Sequence, residues 1–308
     1  MTALTIFVPR LNDAHDDFIA MAKIWREVDA AGDGAEVSFD FSRCWFLQPN
    51  AVVFLGGLAR VIGHRGGTAR FLFGTMIDCV RVNLLQNGFA HALGAETMPW
   101  QGNSIPYREY FTQDEDCIAQ DLRQNWLGRG WISVTPALAN EVVGQMWELF
   151  ANAFEHSTTP VGVFSCGQYF RNRHVLTLAV ADFGVGIPSN VRLHLSRPEL
   201  SAADALRWAF ERGTSTSTRE GPRGVGLDLL KELVRKNNGV MLVYSHDGRA
   251  NIDHRGETYD NSQVFFEGTL VQIRLLCDDK HYMLSNEEAE GNAAPFFFFF
   301  LHHADQCQ

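Results

Sequence analysis

The chain has 308 residues, 46% of them apolar and 20% charged, and a net charge of -10. That length accommodates two domains of ordinary size, and that apolar share builds packed cores rather than a disordered chain. The acidic balance excludes a general nucleic-acid binder, which carries a basic stripe. About half of the net charge falls after residue 277, where Asp278, Asp279, Glu287, Glu288, Glu290 and Asp305 face one base, Lys280.

The six cysteines, Cys44, Cys79, Cys117, Cys166, Cys277 and Cys307, show no CxxC and no regular spacing. They are expected as reduced thiols of a cytoplasmic protein, several of them buried as small apolar residues. The first eight residues lack a basic stretch and run directly into a strand pattern, so no signal peptide is expected. No apolar run is long enough to cross a bilayer, and no membrane contact is expected.

Residues 4–8 alternate as a strand. Over 16–31, Phe18, Ile19, Ala22, Ile24, Trp25 and Val28 recur at helical spacing, and Gly32 closes the helix. Residues 36–40 read as a second strand, 51–62 as a helix stopping at Gly63, 69–73 as a third strand, and 77–89 as a helix stopping near Gly94. Strands alternating with helices predict a small layered α/β domain over 1–94.

This segment resembles a STAS-like domain, the fold of anti-sigma-factor antagonists, best over 37–42, at Phe46 and Leu47, and in the helix at 51–62. Signalling members of that family carry a phosphorylatable serine just before the helix. Here the stretch is Gln48-Pro49-Asn50-Ala51, without a hydroxyl, so phosphorylation is not carried across.

Residues 95–113, with Pro99, Gly102 and Pro106 among polar neighbours, read as a linker, and 113–127 as a helix, so 95–127 is expected to lead into a second domain. That domain is expected over 128–277: a long helix at 136–156, strands near 161–168 and 174–181, helices at 201–211 and 224–236, and strands near 239–245 and 269–276. The acidic tail over 278–308 ends in low complexity, with five phenylalanines at 296–300, to which no function is assigned. His302, His303 and Cys307 are weak metal candidates.

Three segments carry the chemistry. On the long helix, at about 100° per residue, Glu141, Glu148, Asn152 and Glu155 fall within one arc, while Val142, Met146, Leu149 and Ala153 lie round the cylinder, facing a sheet. A solvated helix face shows such an arc too. Against that, Asn is a poor helix-interior residue, and Trp147, Phe150 and Phe154 flank the arc. Glu148 and Asn152 are i, i+4 neighbours. An Asn carbonyl is a hard ligand suited to Mg²⁺ already held by phosphates, and a neighbouring carboxylate can polarise an attacking water or hydroxyl.

The second segment ends a strand at Asp182 and turns on Gly184 and Gly186. Glycines let backbone approach a ligand, and the carboxylate can accept from an amine such as adenine N6, although a solvated turn has the same composition. The third places Gly221, Gly224 and Gly226 at a helix start, with Arg219 and Arg223 beside them, and follows a hydroxyl-rich stretch at 213–218 that could close as a lid. It is neither a Walker motif nor a complete Rossmann fingerprint.

Together the segments resemble the asparagine box and two glycine boxes of the GHKL ATPase superfamily, which includes histidine kinases, anti-sigma-factor kinases, gyrase and MutL. The resemblance covers about 135–277, with 268–275 similar to that fold's closing strand. It implies ATP and Mg²⁺ as cofactors, with Glu148 as general base and Asn152 on Mg²⁺. Asp182 would hold adenine, Thr269 would stand beside it, and Gly184, Gly186, Arg223, Gly224 and Gly226 would shape the pocket. The implied fold is an α/β sandwich, a mixed sheet with helices on one face, behind the small STAS-like domain.

No two-helix hairpin presents a phosphoacceptor histidine, and His156 is better suited to shaping the pocket, which disfavours a sensor kinase. The short tail after the domain disfavours gyrase and MutL. The expectation is therefore a signalling or defence switch that hydrolyses ATP slowly or phosphorylates a protein partner, and a homodimer is compatible. The alternative is a module in which ATP orders the lid without turnover. Glu148 favours the first; the hydroxyl-free stretch at Pro49 favours the second. A purely structural α/β protein would require all three motifs to be coincidences.

Overall fold

Strand β1 (Ala3–Phe7), helix α1 (His15–Ala31), β2 (Glu36–Asp40), α2 (Pro49–His64) and β3 (Thr68–Leu72) alternate in the computed structural model, which describes residues 3–156, 159–211 and 228–287. The three strands pair in parallel in the order β1-β2-β3, the helices supplying the crossovers that parallel neighbours need. Alternation in β2 follows: Val37 and Phe39 are buried, while Glu36, Ser38 and Asp40 are half-buried. The helix expected at 77–89 is broken into α3 (Asp78–Gln86) and α4 (Phe89–Ala92), because Gly88 takes φ 88, a left-handed conformation that ends a helix.

Beyond it lie β4 (Ser104–Tyr110), α5 (Glu115–Asn125), β5 (Ser133–Val134), α6 (Pro136–His156), β6 (Val163–Phe170), β7 (Val175–Asp182), α7 (Gly186–Leu195), α8 (Ala202–Ala209), α9 (Asp228–Lys236), β8 (Val240–Asp253), β9 (Gly256–Leu276) and β10 (His281–Tyr282). Five strands form one sheet in the order β4-β6-β7-β9-β8, and every pairing is antiparallel.

Several expectations are corrected here. The stretch expected as linker contains β4, whose Ile105, Tyr107 and Tyr110 are buried, and an apolar edge strand has to be paired or covered. The short strands expected near 239–245 and 269–276 are the inner ends of one long hairpin, turned where Asp253 accepts the Arg255 amide at 2.7 Å. Helix α7 follows Asp182 directly and was not anticipated. The start of the acidic tail is structured: β10 pairs with β5, and Glu287 accepts from the Thr135 hydroxyl at 2.7 Å.

The sheet was expected to be mixed, with helices on one face. It is antiparallel, and both faces are buried. Along β7, Leu176, Leu178 and Val180 enter a core with α6 and α9, whereas Ala179, Ala181 and the following Phe183 enter a core with α1 and α2. A side-chain period of two distributes one strand between two cores. Each fully buried large apolar side chain contributes roughly 1.5–3 kcal/mol, so a charge on either face of β7 would be costly.

Helix α2 sits between the parallel sheet and the antiparallel one, and thirteen of its sixteen residues are buried. Its consecutive glycines record that position. A β-carbon on Gly56 would overlap the Tyr107 ring, and one on Gly57 would overlap Phe183. Arg60 on the same helix reaches Glu109 of β4 at 2.9 Å and the Ala92 carbonyl at 2.9 Å. Among the described residues no helix is long and apolar enough to cross a membrane.

Candidate functional site

Asp182 is the last residue of β7 and lies on the α6 side of the sheet, in phase with Leu178 and Val180. Register brings Thr269 of β9 directly opposite it, and Ser245 of β8 opposite Thr269. Three polar side chains thus form one row across three neighbouring strands, at the end of β7 and within β9 and β8, and all three are buried. The carboxylate Oδ1 of Asp182 accepts from the Gly184 amide at 2.9 Å, which holds the turn onto α7.

Ser245 ties that turn to the sheet. Its hydroxyl donates to the Gly268 carbonyl at 2.8 Å, accepts from the Ile187 amide at 2.9 Å and lies 3.0 Å from Thr269 Oγ1. With the serine proton on Gly268, Thr269 donates to Ser245 and keeps its lone pairs as acceptors. His246 completes the frame, with Nε2 at 2.6 Å from the Val185 carbonyl, so that nitrogen carries the proton. Burial holds the His246 pKa below its ordinary value, although the bond to Val185 pulls the other way.

Two glycines are needed at this place. Gly186 has φ 72, and a β-carbon on it would stand 2.7 Å from His246 Cδ2 and 2.8 Å from Ser245 Oγ. Gly268 has φ 117, and a β-carbon there would overlap the Asp182 carbonyl oxygen. The β8–β9 register shifts beside these residues, between Ser245 and His246 and again before Gly248. Such bulges occur where a strand is re-aimed next to a site.

The polar arc of α6 divides as expected from its spacing, with Val142, Met146 and Ala153 buried, Glu148 half-buried and Asn152 exposed. Phe150, expected to flank the arc, is wholly buried in the core against Tyr110. Glu155 accepts from Gln113 at 2.9 Å. Gln145 lies on the same stripe, three residues before Glu148 and seven before Asn152. Its Oε1 accepts from the Leu230 amide at 2.6 Å, in the first turn of α9. Gln145 of α6 thus serves an amide in the first described turn of α9, and it shares its helix stripe with Glu148 and Asn152.

The structure therefore places Glu148 and Asn152 on α6 about one and two turns beyond Gln145, which bonds Leu230, and places Asp182 and Thr269 opposite each other on the α6 side of the sheet, with Gly184 and Gly186 just after β7. Arg223, Gly224 and Gly226 lie outside the described residues, as do Gly221, Arg219, the expected lid at 213–218, the phenylalanine run and His302, His303 and Cys307. Gln145, Ser245 and His246 escaped the sequence reading. The local sign of the last two is the polar and glycine interruption Ser245-His246-Asp247-Gly248 within an otherwise apolar strand.

Among the described residues no group of three or more His, Cys, Asp or Glu side chains is placed to hold a metal ion. No protein-family model matches the chain, and no curated protein matches it in sequence.

Proposed function

We propose that residues 128–277 are an ATP·Mg-binding domain of the GHKL type, joined to a STAS-like unit, and that the protein is a nucleotide-dependent regulator acting on a protein partner. The observation that carries the reading is the Gln145–Leu230 hydrogen bond at 2.6 Å, which ties the helix bearing Glu148 and Asn152 to the first described turn of α9. Anionic groups are favoured at such an end, and the glycine-rich approach to it suits phosphates.

The residues present fit the nucleotide. Asp182 is a buried carboxylate whose Oδ1 accepts from the Gly184 amide, and Thr269 beside it offers a hydroxyl, a combination of groups suited to an exocyclic amine and a ring nitrogen. Asn152 offers a neutral oxygen to a hard cation, which would draw most of its remaining ligands from phosphate and water. Bound ATP·Mg would supply an electrophilic γ-phosphorus. The part of Glu148 is then to take a proton from the attacking water or hydroxyl, and that of His246 is to hold the Val185 carbonyl so that the turn keeps its shape.

A second reading, a nucleotide-gated interaction module without turnover, is favoured by one observation. Pro49 and Asn50, at the position where STAS-like signalling partners carry a phosphoacceptor, are buried and bear no hydroxyl. The test follows γ-labelled ATP·Mg with the full chain and with Glu148→Ala. Release or transfer of label by the wild type alone establishes an enzyme with Glu148 as base. Tight binding with no label moving in either protein establishes the interaction module. No binding by either protein removes the nucleotide assignment.

A further inference from the structure

An exposed platform of rings and guanidinium groups lies just past the ends of β1 and β2. There residues 7–11 and 43–47 run side by side, joined by the parallel bridge of Leu11 with Leu47. The Leu11 amide donates to the Phe46 carbonyl at 3.1 Å, and the Gln48 amide to the Leu11 carbonyl at 2.9 Å. Phe7 is 48% and Trp45 59% exposed. The Arg43 guanidinium lies 4.6 Å from the Phe7 ring centroid, and that of Arg10 lies 5.8 Å from the Trp45 ring centroid. Among the described residues these are the two exposed large apolar side chains that carry a cation.

The fold does not use these charges. Neither the Arg10 nor the Arg43 guanidinium forms a hydrogen bond or ion pair among the described residues. The acids around them are engaged: Asp40, whose carboxylate also feels Arg43, accepts from the Ser42 amide at 2.7 Å, Asp78 accepts from Arg81 at 2.6 Å, and Asp13 from Arg274 at 2.7 Å. Basic residues continue onto the turn between β6 and β7, where Arg171 and Arg173 follow Phe170, whose ring meets Phe46 at 6.0 Å. A ring beneath a guanidinium holds that long side chain in place and leaves its N–H groups free. The platform thus offers aromatic surface bordered by prearranged cations, and its complement is a segment both acidic and aromatic.

One segment of this chain has that composition. Residues 288–301 hold Glu288, Glu290, the five phenylalanines at 296–300 and Leu301, with no lysine or arginine. The chain also approaches this segment from the same end of the molecule. Just after β9, the Cys277 amide donates to the His174 carbonyl, beside the turn that carries Arg171 and Arg173, at 2.7 Å, and β10 then pairs with β5. From Glu287 to Phe296 an extended chain reaches about 30 Å, against a radius of gyration of about 19 Å for a chain of this length. We propose that residues 288–301 dock in cis on the platform, the phenylalanines against Phe7 and Trp45, and Glu288 and Glu290 against Arg10 and Arg43. Docked there, the tail shields this surface from other acidic segments. The contact uses none of the candidate nucleotide residues and does not depend on that reading.

Phenylglyoxal modification of arginines, read peptide by peptide in a mass spectrometer, tests this on the full chain and on a chain shortened after Glu287. Arg10 and Arg43 should react about tenfold more slowly in the full chain, the factor for a segment docked nine-tenths of the time. Arg26, exposed on α1, should react at the same rate in both and serves as the reference. Glu288→Lys combined with Glu290→Lys keeps the chain length and should return most of the lost reactivity at Arg10 and Arg43. That variant decides the matter should the shortened chain fold poorly. Equal rates in the full and shortened chains would overturn the docking, and undiminished protection in the lysine variant would overturn its ionic half. Protection that disappears on dilution would put the tail of another copy on the platform and overturn the contact in cis.

Discussion

The ring of Phe183 occupies the space that a side chain on Gly57 would need. Phe183 follows Asp182 in the chain, and its ring also meets Phe54 at 6.1 Å and Phe266 at 5.4 Å. One residue of the turn is thus anchored between α2 and the sheet, while its neighbour presents a carboxylate on the other face. The packing of the first hundred residues thereby bears on the geometry of the candidate site.

Replacing Gly57 should be destabilising despite improved helix propensity. Alanine in a helix gains about 1 kcal/mol over glycine, but overpacking a filled core costs typically about 1–3 kcal/mol. Gly57→Leu should therefore lower the urea midpoint clearly, and Gly57→Ala by less. Adding Phe183→Leu to Gly57→Ala should recover part of the loss. Independent, additive effects of the two substitutions would refute the contact.

Asp182→Ala should weaken ATP·Mg binding by at least about tenfold, the worth of a charged hydrogen bond, while Glu148→Ala should preserve binding and stop phosphate movement. Calorimetry and label release separate the two. Unchanged affinity in Asp182→Ala would sink the adenine assignment, and lost affinity in Glu148→Ala would make that residue structural.

Gln145→Leu removes the acceptor for the Leu230 amide. The expected cost is about 1–2 kcal/mol of stability, as for loss of a helix cap, together with weaker nucleotide binding as α9 shifts. Amide exchange at Leu230 reads the local effect directly. Undiminished protection there would show that the bond does not hold the helix.

His246 makes stability depend on pH. Its folded pKa lies below the ordinary 6.5, chiefly through burial, with Arg192 acting in the same direction and Asp247 and the Val185 bond against it. As pH falls below 6.5 the unfolded chain therefore takes up the proton first, and stability declines until the folded value is passed. Urea midpoints at about pH 7.5 and about pH 5.5 should differ less in His246→Asn than in the wild type. An identical difference in both proteins would place the dependence elsewhere.

Glu109→Gln should loosen α2 from β4. The carboxylate accepts from Arg60 Nε at 2.9 Å and from Tyr107 Oη at 2.9 Å. Losing its charge should cost about 1–3 kcal/mol. Chemical denaturation checks the value, and no change would show the pair to be solvent-screened.

Local pattern determined a good part of this protein. The boundaries of α6, the strands at β2, β6 and β7, and the separation of Glu148 and Asn152 from Val142 and Met146 all follow from periods of 3.6 and 2, which neighbouring residues along the chain suffice to set. Partners across a sheet are not encoded that way. Only the tertiary structure decided that β4 closes the edge of the five-stranded sheet, that every pairing within that sheet runs antiparallel, and that α2 rather than solvent covers its second face. It alone set Thr269 and Ser245 beside Asp182, because that row depends on the registers of three strands and on two bulges. Gly57 and Gly268 show the same division: each reads as a weak point in its own element until the residue from elsewhere in the chain that needs its space is in place.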